Sequence, residues 1–580
     1  MTSKTPNFDK ALDAYFSKLE LDEKGGQWRT CRFSGEKFYV RPEDVEFYKK
    51  IRVPLPTLRL NERWRLIFSF WNSYFLFNTK SALTGEKIIS QYPPNTPFKI
   101  FEHQKWFGST QWDPADYARE YKPEVSFFDQ FKALQLEVPR PNLFVNSLSV
   151  NSDYTNDSVN LKNCYLVFNS SESENCHYSI SPIRSRDCID CFDVFDSSMC
   201  IECFESHELY NCRFVEFSKN CMESSFLYDC KNCTHCFGGV NLRNKKYVFF
   251  GEQLTKDEYE RKVREINLGN RKVLVGYMDK FYELVKMAIH KPNHNEKSVN
   301  STGDYIINSK DCYYGYFVEK SERTAYLIAS QEVRDSYDST AIGAELCYMA
   351  SGATGCFGVL FSNMMGECRD SEYSDYCGNC HNVFGCVALL NKSFCVFNKQ
   401  YSEDEYWKLV DEIKTNMLKS GEYGEFFPPH LSPFPYQASV MASYKGYDDF
   451  DNAKKYGYRF DEIPEEKLEI NIKVLETDNV PDDINDTDDS ILDELIFDKK
   501  NNKLFRYTNI ELDFRRKFGL PLPREHFTSR LKKKREKFGS IDLKFYERTC
   551  PVCKSKFETA YSPEDPRIVY CESCYLKEIV

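Results

Sequence analysis

Nowhere in the 580 residues do eighteen uncharged apolar residues run together, so no segment is long enough to cross a bilayer as a helix and no membrane partner is expected. Histidine is scarce, at nine residues, and none falls into a base-and-nucleophile arrangement. A phosphate-cradling glycine loop, a G-x-S-x-G elbow and an H-E-x-x-H pair are all missing. The readable signatures of nucleotide hydrolysis, serine-type acyl transfer and zinc proteolysis are therefore absent. The start, MTSKTPNFDKALDAYFSKLE, lacks the apolar core and small-residue cleavage site of a secretory signal, and a cytoplasmic location is expected. In that reducing compartment cysteines read as metal ligands or small buried groups, not as disulfides.

What the chain does have is 24 cysteines, unevenly placed. One lies in the first 150 residues, eleven between Cys164 and Cys236, eight between Cys312 and Cys395 and four between Cys550 and Cys574. The two middle clusters repeat each other at an offset of 147. Cys230 to Ile266 and Cys377 to Ile413 align without a gap, with 17 identities in 37 positions. This is the mark of an internal duplication. Inside the first cluster Cys164, Cys176, Cys188, Cys200 and Cys212 are each twelve apart. In the second, Ala325 and Ser336 are taken to fill the cysteine slot. Short Tyr-, Phe-, Val- and Ile-rich segments broken by Ser, Asn, Asp and Gly at this spacing predict stacked short strands, that is, two β-solenoids with small side chains inside. Thr255 with Glu258 and Ser402 with Glu405 have capping-box spacing, so each array is expected to end in a helix.

The ends of the chain also match each other. FYKKIRVPLP (Phe47 to Pro56) pairs with FRRKFGLPLP (Phe514 to Pro523) at an offset of 467, and Arg63 pairs with Arg530. Ser81 to Trp106 then lies over Cys550 to Tyr575. The fold class expected is mainly β: two tandem β-solenoid arrays capped by helices and flanked by two related zinc-ribbon-like modules, the first without metal. In order these are an N-terminal helix (1–27), a degenerate zinc-ribbon-like module (28–145), a first solenoid with its capping helix (150–267), a helical connector (268–300), a second solenoid with its capping helix (301–420), an acidic linker (421–497), and a basic helix with a C-terminal zinc ribbon (498–580). The linker is placed by charge: Asp448 to Asp498 holds eighteen acidic against five basic residues, and Lys499 to Arg548 reverses this with sixteen basic against six acidic.

The clearest site is Cys550-x2-Cys553-x17-Cys571-x2-Cys574. Two CxxC turns at this separation supply four thiolates to one tetrahedral ion, with no open position for a water nucleophile, so one structural Zn2+ per chain is expected. PRIVYCESCYLKEIV, CRFSGEKFYVRPEDVEFYKKIRVPLPTL and FGCVALLNKSFCVFNKQYSEDEY together give a chain that resembles an uncharacterised cysteine-rich family of candidate-phyla bacteria with a C-terminal RPVYC-type zinc ribbon. The resemblance covers nearly the whole length and brings no activity with it. In the first module the knuckle positions are Ser81, Thr84, Glu102 and Lys105, which cannot hold zinc. Cys31-x2-Ser34 is half a knuckle whose counterpart, Asp498 and Asn501, has lost its thiols too.

Two further clusters are candidates. Cys230, Cys233 and Cys236, with His235 beside them, could hold a second metal. Arg530, Lys532, Lys533, Lys534, Arg535 and Lys537, in the segment Ser529 to Gly539, form a candidate nucleic-acid contact. The leading functional expectation is a non-catalytic zinc-binding scaffold that contacts RNA, DNA or a ribonucleoprotein such as the ribosome through the basic C-terminal module and offers solenoid faces to protein partners. One alternative is a metal or iron-sulfur scaffold built on the solenoid cysteines. The other is a β-solenoid hydrolase acting on glycans through paired carboxylates.

Overall fold

The computed structural model describes residues 3–108, 110–146, 148–463, 473–538 and 543–579. Helix and strand are mixed along the chain, and parallel pairing dominates the strands. The expectation of a mainly β chain understates the helices, among which are Pro6–Ser17, Leu60–Phe68, Arg271–Met287, Glu403–Ser420 and Phe527–Phe538. Among the described residues no helix is long and apolar enough to cross a membrane.

Two cysteine-rich stretches form the parallel ladders. Cys188 lies beside Cys200 and Cys200 beside Cys212, and Phe192 lies beside Phe204. In the later stretch Gly303 lies beside Gly315 and Val383 beside Cys395. Twelve residues thus bring the chain back to the same place one strand spacing away, about 4.8 Å. Corners make this possible, because a left-handed φ recurs at every third residue, as at Asn160, Asn163, Leu166, Asn169, Glu172 and Asn175. Residues three apart therefore face the same way. Cys188, Cys191, Val194, Ser197 and Cys200 are all buried together. A flat strand would put i and i+3 on opposite faces; the corners put them on one.

The corners also explain why cysteine and serine share the interior. The inward cysteines and serines are small enough for a narrow core, and many of them carry a donor that reaches the carbonyl nine residues on. Cys176 Sγ donates to Ser185 O at 3.5 Å, Cys212 Sγ to Cys221 O at 3.4 Å, and Ser185 Oγ to Val194 O at 3.0 Å. Serine accepts as well: its Oγ takes the amide twelve residues on, from Cys191 onto Ser179 at 3.0 Å and from Cys230 onto Ser218 at 3.0 Å. A buried backbone donor without a partner would cost about 1–3 kcal/mol. One slot assignment is corrected here. Thr324, not Ala325, stands beside Cys312, donating to its sulfur at 3.2 Å, while Ala325 lies beside Tyr313. Ser336 does occupy an inward position, its Oγ accepting the Cys347 amide at 2.9 Å.

Both ladders run into helices with capping boxes, at Thr255 with Glu258 before Lys256–Arg264 and at Ser402 with Glu405 before Glu403–Ser420. The chain divides into two compact units. One joins Met1–Asn142 to Asn293–Glu462, with Leu543–Phe545 added; the other joins Leu143–Pro292 to Ile463–Asp542 and Tyr546–Val580. Each unit therefore combines one terminal region with the ladder that is not its immediate chain neighbour.

The stretch expected to be an acidic linker, 421–497, is folded where it is described; 464–472 lie outside the described residues. In the first unit Phe427 stacks on Phe131 at 4.7 Å. In the second, Ile484 and Ile491 join Val480, Ile496, Tyr507, Leu512 and Leu522 in a small core. Composition misled because the aspartates there cap short turns: Asp483 accepts from the Asn485 amide at 3.0 Å and Asp488 from Ser490 at 2.8 Å. The isoleucines between them are what is buried.

Candidate metal centre and its three relatives

The C-terminal site is built on a hairpin, Tyr546–Thr549 paired antiparallel with Lys556–Thr559. Its turn is closed by Cys550 N to Ser555 O at 2.9 Å and Lys554 N to Cys550 O at 3.0 Å, with Lys554 at φ 62°. Cys571 precedes the helix Glu572–Ile579, which places Cys574 on its first turn. The Cys571 amide donates to Cys550 Sγ at 3.4 Å, and Cys553 Sγ lies 3.5 Å from Cys571 Sγ. All four sulfurs lie within 4.8 Å of one another. Zn–S bonds of about 2.3 Å in a tetrahedron ask for sulfurs about 3.8 Å apart, so the donor set and its spacing fit a soft divalent ion. Cys550, Cys571 and Cys574 are buried and Cys553 is exposed. Hydrogen bonding from Ser573 is the largest influence pulling the Cys571 thiol down, to about 5, which favours the thiolate a metal needs.

The same module is tied to the ladder of its unit. Ile568–Val569 pairs with Ile289–His290, Tyr570 N donates to His290 O at 2.9 Å, and Thr559 Oγ1 donates to Pro292 O at 2.7 Å. Tyr575, one residue past the last thiol, donates its hydroxyl to Asp229 and accepts from Arg243 Nη2 at 2.7 Å.

Three more turns share this geometry. At Ser81 the hairpin Phe77–Lys80 with Lys87–Ser90 closes through Ser81 N to Glu86 O and Gly85 N to Ser81 O, both 2.9 Å, with Gly85 at φ 78°. Glu102 precedes the helix His103–Gly108, as Cys571 precedes its own. Its carboxylate accepts from Ser81 Oγ at 2.5 Å, Thr84 Oγ1 at 2.8 Å and Lys105 Nζ at 3.3 Å. The four expected knuckle positions do converge, around a carboxylate. Burial pushes the Glu102 carboxyl up, but the hydrogen bonds led by Ser81 outweigh it and hold the group at about 2.

At Cys31 the turn is closed by Cys31 N to Glu36 O at 2.8 Å and Gly35 N to Cys31 O at 2.9 Å. The helix-start positions there are Arg59 and Glu62, ahead of and inside Leu60–Phe68. Cys31 is a buried free thiol, not a ligand in a cluster of three or more. At Asp498 the side chain accepts from the Asn501 amide at 3.1 Å, Asn501 Nδ2 at 2.7 Å and the His526 amide at 2.9 Å. That last contact is the counterpart of Cys571 N to Cys550 Sγ. His526 and Ser529 take the third and fourth positions around Phe527–Phe538. Sequence reasoning found the hairpin half of these two turns and missed Arg59, Glu62, His526 and Ser529. One signal was available: Arg63 and Arg530 lie four residues after Arg59 and His526, as Tyr575 lies four after Cys571.

The second candidate cluster does not form. Cys230, Cys233 and Cys236 all point inward and are fully buried. His235 sits at a left-handed corner and stacks on Tyr247, with ring centroids 5.6 Å apart. Corner geometry turns residue 235 away from its neighbours 233 and 236. Among the described residues only Cys550, Cys553, Cys571 and Cys574 bring three or more such groups within ligating reach. Burial pushes the Cys212 and Cys347 thiols up to about 12, so they stay protonated at neutral pH.

The basic helix is turned largely toward its own unit. Arg530 is buried between Asp190 and Glu511, reaching the latter at 3.0 Å, and lies over the Tyr178 ring at 5.0 Å. Lys534 pairs with Glu202 at 2.7 Å and Lys537 with Glu216 at 2.5 Å. Lys533 pairs with Glu525 at 2.5 Å, Lys532 with Glu536 at 3.7 Å, and Arg535 is half-buried. Gly539 lies outside the described residues. The matched residue Arg63 makes the same kind of contact in the other unit, with Asp338 at 2.9 Å and the Tyr326 ring at 5.2 Å. These cations hold terminal modules onto ladders, and of the six only Lys532 and Lys533 remain mostly exposed.

No protein-family model matches this chain, and no curated protein matches it. A solved structure described as an acetyltransferase from Desulfovibrio desulfuricans G20 aligns over 48% of this chain and 70% of its own, at 9% identity and a TM-score of 0.10. A likeness of that size carries no argument about fold or chemistry.

Proposed function

We propose that the chain is a non-catalytic scaffold: two β-solenoid units, each braced by ribbon-type modules, with the last module a zinc ribbon stapled by one structural Zn2+. The observation that carries this reading is the convergence of Cys550, Cys553, Cys571 and Cys574 on a module bonded to the ladder. Bound there, the ion would cross-link a small module that has little core of its own. A closed set of four thiolates leaves no position for a substrate, which favours a structural role over a catalytic one. Interior thiols that donate to backbone carbonyls favour this reading over an iron-sulfur scaffold.

Elemental analysis of the purified chain, with an absorption spectrum, tests it. One zinc per chain and no visible chromophore is the expected result. Several metals per chain, or an iron-sulfur spectrum, would replace the scaffold reading by the cluster-carrier alternative.

A further inference from the structure

We propose, resting on the zinc reading above, that Cys553 is an oxidation site for hydrogen peroxide and that its oxidation releases the ion from the C-terminal module. Among the described residues, which include all 24 cysteines, Cys553 alone is an exposed cysteine. The ladder thiols are shut inside their circuits: Cys188, Cys200, Cys233 and Cys380 are 0% exposed. Peroxide selects a thiol by its exposure and thiolate character. The fold therefore protects the interior cysteines and leaves Cys553 open. Thiolate character comes with the ligand role, because a sulfur that coordinates a metal ion is deprotonated.

A resolving sulfur is already in place. Cys553 Sγ lies 3.5 Å from Cys571 Sγ, one carried by the hairpin turn and the other by the start of the helix Glu572–Ile579. In the first step the Cys553 sulfur takes one peroxide oxygen as the O–O bond breaks, leaving a sulfenic acid and a hydroxide. In the second the Cys571 thiolate attacks that sulfur: the S–S bond forms, the S–O bond breaks and another hydroxide departs. Two electrons pass from the sulfurs to the peroxide, and two protons from solvent turn the hydroxides into water. Cys550 and Cys574 are then the remaining thiolates of the set, too few to close a tetrahedral site. The residues beside the lost ligands are those that grip the ladder. Tyr570 donates its amide to His290 O at 2.9 Å, and Tyr575 donates its hydroxyl to Asp229 and accepts from Arg243 Nη2 at 2.7 Å. Oxidation at one exposed sulfur thus loosens the module's hold on its own ladder.

The test treats the full zinc-bearing chain with hydrogen peroxide, follows released zinc with a chromogenic chelator and maps disulfides by mass spectrometry of peptides. Release of one zinc per chain with a Cys553–Cys571 disulfide is expected, both reversed by a dithiol when zinc is resupplied. Hydrogen exchange should rise across 572–579 and stay unchanged across 77–108, where the exposed Thr84 stands in the position equivalent to Cys553. Cys553→Asp keeps four ligands, since a carboxylate oxygen also binds zinc, and should lose it about tenfold more slowly in peroxide. Cys571→Asp should stop the reaction at the sulfenic acid, which dimedone traps at Cys553. The proposal is overturned if the zinc-bearing chain keeps its zinc in peroxide, or if the disulfide maps to Cys550 with Cys553 or to ladder cysteines. It is also overturned if Cys553→Asp, carrying one zinc, loses it at the parent's rate; if that variant carries no zinc, the parent's disulfide map decides alone. A parent chain without zinc before peroxide is added strikes the scaffold reading and this proposal with it, whereas a zinc-bearing chain inert to peroxide strikes the proposal alone.

Discussion

At Cys550 four thiols converge on a space that an ion can fill, whereas at Ser81 the matching space holds the Glu102 carboxylate, gripped by two hydroxyls and a lysine. The backbone around the two is the same: a hairpin turn with one left-handed residue, then a helix beginning at the third position. The turn is therefore stable as backbone, and its four side chains decide only what closes it. An ion bound by four charged ligands is a far stronger closure than hydrogen bonds to an exposed-side carboxylate, so the two ends should respond very differently to the same insult.

Removing the ion is the largest break. Cys571→Ser should release the metal and with it a binding free energy on the order of 10 kcal/mol. Hydrogen exchange should then rise across 546–579 and at 289–292, while 77–108 is unaffected; equal exchange at both ends would deny the metal its structural role. Converting the other end is the next largest change. Ser81→Cys, Thr84→Cys, Glu102→Cys and Lys105→Cys together should raise the metal content by one per chain, because the backbone already presents these positions as it does Cys550 to Cys574. An unchanged count would mean the resemblance stops at the backbone.

The docking arginines allow a subtler comparison. Asp190 is met by both Arg515 and Arg530, but Asp338 has Arg63 as its ion-pair partner. Stripping a buried carboxylate of its partner costs about 3–5 kcal/mol. Arg63→Ala should therefore lower the unfolding midpoint of its unit more than Arg515→Ala lowers that of the other, where Arg530 still meets Asp190 and Lys534 still meets Glu202, and chemical denaturation would rank them. The smallest effect is on acidity. Glu102, held at about 2 against roughly 4.3 unfolded, contributes stability that is full above the unfolded value and lost as pH falls through the folded one. Glu102→Gln should make the parent and variant converge in stability near pH 2 and separate above pH 5.

Much of this was legible in the residues. The twelve-residue cysteine period announced stacked strands, the paired CxxC turns announced the candidate metal centre, and the match of Arg63 with Arg530 marked the two terminal regions as related, though Arg530 was read as a nucleic-acid contact. Other features were hidden for specific reasons. Corner placement at every third residue follows from backbone dihedrals that neither hydrophobic period nor cysteine spacing encodes, so His235 was set beside thiols it turns away from. Charge composition read 421–497 as a linker because it counts aspartates and not the turns they cap. The basic helix looked free because Asp190 and Glu202, which receive Arg530 and Lys534, lie more than 300 residues away in the chain.

Local chemistry alone specified the turns, the caps, the four thiolates and the choice of small inward side chains, since each depends on residues within about one circuit of one another. Which terminal module meets which ladder and which cations are spent on internal acids depends on contacts between distant segments. Those contacts are set by burial and charge pairing in three dimensions, and no spacing along the chain records them.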